Sequence, residues 1–226
     1  MAIMAVYWRL DTDVTVAVSA GRAVFLDVAR DRYAMLPPHL DAYFAAWLAE
    51  PAGPMPHACF DALAARLALD GRYESLRPSR VSLGIPYDVS GSALSGVRPG
   101  LGQVLGVASV VMRARRALRR SPLRANLERR RAALGHGLAR LVDRRETALR
   151  AAVYHAARPF APAGRVCLLD SLALIDWLGD DAGQAQLVLG VTAYPFGAHC
   201  WVQTRQALLG DAPDTIARYA PILHLG

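Results

Sequence analysis

Residues 165–179 read RVCLLDSLALIDWLG, a cysteine set just ahead of a run that is apolar nearly all the way round. Pro162 and Gly164 precede it, so the pattern predicts a buried helix that begins at Cys167. A sulfur there faces the positive end of the helix dipole and unpaired backbone N–H groups. These lower a thiol pKa and can hold an oxyanion, for which the N–H of Cys167 is the expected donor. Further along, residues 195–211 read PFGAHCWVQTRQALLGD. Strand alternation places His199, Trp201 and Gln203 on one face, and Asp211 falls past the next turn, able to meet the far ring nitrogen of His199. In that order the three residue types fit a thiol nucleophile, its base and the group that orients the base. Each also has a structural explanation: a small apolar residue before a buried helix, a core histidine, a turn aspartate. Periodicity alone leaves both explanations open.

Composition sets the frame around these residues. A chain of 226 residues, 54% hydrophobic and 20% charged, is globular and long enough for one large domain or two small ones. No stretch approaches the roughly 18 apolar residues of a membrane span. The start, MAIMAVYWRLDTD, lacks the basic, apolar and small-residue regions of a signal peptide, so a cytoplasmic protein is expected. Three cysteines, Cys59, Cys167 and Cys200, show neither CxxC nor zinc spacing, which fits a reducing compartment. All 26 basic residues are arginine, which excludes chemistry through a lysine amine. The remaining histidines show no HExxH pattern, and no glycine-rich phosphate loop follows a strand. No metal or nucleotide cofactor is expected.

Three organisational blocks follow from the pattern. Over residues 1–78, VTVAVSA, GRAVFLDV and RDRYAML predict a three-stranded antiparallel meander, and PPHLDAYFAAWLAE and HACFDALAARLALDG predict two helices. Together they suggest a small α+β module of winged-helix type. Residues 79–100, rich in Pro, Gly and Ser, read as a linker. Residues 101–226 form a second domain: an arginine-dense helical segment, the cysteine helix and a β-meander. The arginines fit DNA phosphates, an anionic membrane surface or a solvated helix face. The last is preferred, with Val104, Val107, Val111 and Leu118 turned inward and Arg116, Arg119 and Arg130 outward. Neither a nucleic-acid partner nor a membrane span is expected.

The combination CLLDSLALIDWLG … LVLGVTAYPFGAHCWVQTRQALLGD resembles the B-protein family of lasso peptide biosynthesis, transglutaminase-like cysteine proteases. Cys167, Leu168, Ser171, Leu172, Ala173 and Leu174 match the nucleophile helix of that family. Gly190 and Val191 match its next strand, His199, Trp201 and Val202 the histidine strand, and Asp211 the final turn. The resemblance implies an α+β chain: a winged-helix-like peptide-recognition module fused, through a helical segment, to a transglutaminase-like, papain-like protease. It implies Cys167, His199 and Asp211 as the catalytic triad. It further implies that the leader of a precursor peptide is captured as an added strand on Arg32, Tyr33, Ala34, Met35 and Leu36. The partners it implies are that precursor, an asparagine-synthetase-like macrolactam cyclase and, in some systems, a peptide exporter. Two positions depart from the family. Asp170 places a carboxylate one turn from Cys167, and Cys200 replaces a small residue beside the histidine, where alternation turns it into the core. The competing functions are amide transfer by the same triad and a winged-helix regulator with an inert C-terminal domain.

Overall fold

The computed structural model describes residues 2–51, 53–67, 69, 76–89, 96–137, 144–179 and 185–226. It forms two lobes, each built on a five-stranded sheet. The first sheet contains β1 (Ala2–Arg9), β2 (Val14–Ser19), β3 (Arg22–Asp27), β4 (Arg32–Met35) and β5 (Ser79–Pro86), in the order β4-β3-β2-β1-β5. Ala20 and Gly21, both at positive φ, close the tight β2–β3 hairpin. Helices α1 (Pro38–Ala49) and α2 (His57–Ala64) cover one face of this sheet. Val14, Val16 and Phe25 pack there against Phe44, Trp47 and Leu63.

The opposite face belongs to the other lobe. Tyr7, Ala17, Val24 and Leu26 join one continuous core with residues of the C-terminal helices and sheet. Those helices are α3 (Leu101–Arg120), α4 (Leu123–Gly137), α5 (Arg144–Ala157) and α6 (Cys167–Leu178). The second sheet runs β10-β7-β8-β9-β6, from β6 (Asp88–Val89), β7 (Gln186–Ala193), β8 (Phe196–Gln203), β9 (Ala207–Leu208) and β10 (Ala220–Leu225). A short helix, α7 (Pro213–Ile216), precedes β10. Among the described residues no helix is long and apolar enough to cross a membrane.

Three sequence expectations change here. The N-terminal sheet has five strands rather than three, because β1 and then β5 extend the expected meander beyond β2. Part of the expected linker is strand: β5 pairs with β1 from Ala2↔Pro86 to Arg9↔Ser79. Its Leu83 is buried with Val188 and Trp201 beneath the second sheet, and β6 then pairs in parallel with β9. The Pro/Gly/Ser-rich composition hid an alternation, Val81, Leu83 and Ile85, that stitches the two sheets together. Lastly, Arg130 does not point outward. Its guanidinium is 3% exposed, pairs with Asp176 at 2.6 Å and donates to the carbonyl of Asn126 at 3.0 Å. Arg116 and Arg119 are exposed, and Val107 and Val111 are buried as the apolar stripe predicts.

Candidate active site

Cys167 is the first residue of α6, after an extended Val166. No side chain caps this helix end, so its free N–H groups remain available to a bound group. The loop that delivers Cys167 is clamped by Arg158, whose side chain is 1% exposed. Its two terminal nitrogens donate to the carbonyls of Ala163 (3.1 Å) and Gly164 (2.9 Å), and its Nε donates to Asp170 Oδ1 at 2.7 Å. The second oxygen of Asp170 accepts from Arg165 Nε at 2.7 Å. The carboxylate that would oppose a thiolate is therefore matched by two guanidiniums.

His199 lies in β8 opposite Gly190 of β7. A Cβ on Gly190 would come within 2.7 Å of the Trp201 ring and 2.9 Å of Tyr219 Cβ, so only glycine leaves room for the indole. The imidazole stacks on Trp201, with centroids 6.1 Å apart, and tilts against Tyr219 at 5.2 Å. Trp201 Nε1 donates to Gln203 Oε1 (2.9 Å), and Gln203 Nε2 donates to the carbonyl of Gly84 in β5 (2.8 Å). The predicted face of His199, Trp201 and Gln203 is thus an anchored row that ends on the strand read as linker.

The structure brings Cys167, His199 and Asp211 together. His199 Nε2 lies 3.0 Å from Asp211 Oδ1, which leaves Nδ1 for the thiol. Hydrogen bonding to Asp211, then to Cys167, raises the His199 pKa to about 9. The Cys167 thiol moves below its ordinary value, chiefly through its hydrogen bond with His199. The backbone N–H groups of Cys200 and Leu168 add to this, and burial works against it. Such a pair can exist as thiolate and imidazolium and can attack an acyl carbon. Cys200 is 3% exposed, with its thiol pushed up by burial.

A cavity of about 260 Å³ runs from the triad down α6, between Leu174, Val202 and His155. A separate cavity of about 320 Å³ opens between the lobes around Arg9, Thr15 and Arg131 and shares no residue with the triad. Among the described residues no group of three or more His, Cys, Asp or Glu is placed to hold a metal ion.

Arg32, Tyr33, Ala34 and Met35 make up β4, an edge strand of the first sheet. Leu36 lies just beyond it, 2% exposed in the core with α1 and α2. Tyr33 faces the other lobe, its ring 5.5 Å from Phe196 at the start of β8. Its phenol pKa is raised, chiefly by burial. The edge strand therefore abuts the strand that carries His199. Sequence reasoning missed this junction, and it missed Arg158 and His155, which show no periodic or motif signal.

A cysteine at a helix N-terminus, beside a histidine that an aspartate orients from a neighbouring turn, is the arrangement that thiol acyl transfer requires. A family model, the transglutaminase-like superfamily, matches residues 108–224, and the chain belongs to that superfamily. It spans cysteine peptidases and acyltransferases. No curated protein and no solved structure matches the chain.

Proposed function

We propose that the protein is a cysteine peptidase that removes the leader from a ribosomally made lasso peptide precursor. The observation that carries the chemistry is the gathering of Cys167, His199 and Asp211 around one cavity at the start of α6, with His199 Nε2 3.0 Å from Asp211 Oδ1. The leader specificity rests on the resemblance of residues 167–211 to the B-protein family, and the position of β4 beside β8 supports it.

In this mechanism the Cys167 thiolate attacks the carbonyl carbon at the leader–core junction. Backbone N–H groups at the α6 terminus, that of Cys167 first, hold the oxyanion. His199, having taken the thiol proton, gives it to the departing core amine as the C–N bond breaks. The leader remains as a thioester on Cys167. Water, deprotonated by His199, then attacks the thioester, releasing the leader acid and the thiol. The leader itself adds as a strand to β4, where main-chain hydrogen bonds give affinity.

The test is mass spectrometry of full-length protein incubated with leader–core peptides, with and without a primary amine. Hydrolysis at one junction, lost in Cys167→Ala, is the expected result. Incorporation of the amine in preference to water would assign amide transfer instead.

A further inference from the structure

The turn that presents Asp211 has its own support. Its preceding residue, Leu209, is tied on one side to β8, with its N–H donating to Val202 O at 2.9 Å. On the other side its carbonyl lies 2.9 Å from Nε2 of His155, in the last turn of α5. A carbonyl only accepts, so His155 Nε2 carries a proton and donates. Gly210 follows at φ +119, a conformation that favours glycine. Any Cβ there would collide with the His155 imidazole. Next comes Asp211, whose Oδ1 meets His199.

We propose that His155 is a positioning residue: by donating Nε2–H to Leu209 and filling the space Gly210 leaves, it holds Asp211 against His199. The inference rests on the triad reading above. Burial pushes the His155 pKa down, so the ring stays neutral near pH 7. The charged groups facing it are Asp211 from the turn, Arg165 from the loop before α6 and Asp170 from α6.

Losing this support frees Asp211, whose hydrogen bond is the largest cause of the raised His199 pKa. The imidazolium is then less favoured, and the Cys167 thiolate loses its partner. The effect can be read without any substrate, from the rate of iodoacetamide alkylation of Cys167 against pH. Cys59 and Cys200 are buried, and peptide mapping assigns the adduct. In the full-length protein the acid limb for wild type lies below that of a free thiol, about 8.5. His155→Ala and Gly210→Ala are expected to move the limb up by about one pH unit, or roughly tenfold slower alkylation on its acid side. His155→Gln keeps an N–H donor and is expected to stay near wild type. Circular dichroism confirms that each variant is folded; should His155→Ala not fold, Gly210→Ala and His155→Gln carry the test. Folded variants with an unmoved limb overturn the proposal while leaving the triad intact. A wild-type limb at the free-thiol value overturns the triad and the proposal with it. Leader cleavage enters neither result, so failure of the peptidase function is told apart from both.

Discussion

A carboxylate one helical turn from Cys167 works against a thiolate unless its charge is matched. Arg158 and Arg165 match that of Asp170, and Arg158 also clamps the loop entering α6. Arg158→Ala is expected to cost about 2–3 kcal/mol in chemical denaturation, because it breaks a buried pair while Arg165 keeps the second oxygen. Arg158→Lys recovers little, since an ammonium lacks the planar fork that reaches three acceptors. A variant as stable as wild type would contradict the clamp. At His199 the sign runs the other way from a carboxylate. Its pKa rises on folding, from about 6.5 to about 9. The stability this pairing adds is fully present below about pH 6.5 and is lost as pH climbs through about 9. The melting-temperature gap between wild type and Asp211→Asn is therefore expected to be widest near pH 6 and to close above pH 9. A gap of constant size across that range would contradict the pairing.

Among the elements, β5 does the most that its composition conceals. Leu83 is 3% exposed against Val188 and Trp201, so Leu83→Ala is expected to destabilise the protein by about 3 kcal/mol. A change within about 0.5 kcal/mol, the level of an ordinary surface site, would return the segment to a linker. What was legible was strongly periodic or sharply bounded: β2 to β4 by their turns, α1 and α6 by apolar faces, β7 and β8 by alternation. β1 was not, because its outer half, Ala2 to Met4, is exposed and carries no in–out contrast. β10 was not, because Pro221 and a register shift beside it break the alternation. Arg130 was misread because α4 carries arginine at three consecutive positions, 129 to 131, and charge alone does not say which one turns inward. Order and spacing singled out the three polar residues of the site, and the family resemblance, not periodicity, assigned their roles. The supporting shell was not legible: Tyr33 and His155 act through contacts with distant segments, and Arg158 through loop carbonyls that no sequence pattern marks.

At the scale of the molecule, the two lobes share one core, and the chain passes from β5 of the first sheet directly into β6 of the second, so neither half is complete without the other. Residues 1–78 alone lack β5 and leave the β1 edge unpaired, a surface prone to association. That fragment is expected to aggregate, and the full chain to unfold in one transition by both fluorescence and circular dichroism. Two separated transitions would contradict the shared core. Binding of a leader is accordingly best measured on the full-length Cys167→Ala protein, where β4 keeps its place beside β8.

The most direct measurement is intact-protein mass spectrometry, within a single turnover, of the full chain mixed with a leader–core precursor. The expected result is a transient gain equal to the leader acyl group, mapped to Cys167, as the core peptide appears with a free amine. Cys167→Ala is expected to bind the leader and release nothing. Core release by Cys167→Ala at the wild-type rate, or an acyl group carried by any other residue, would contradict the account.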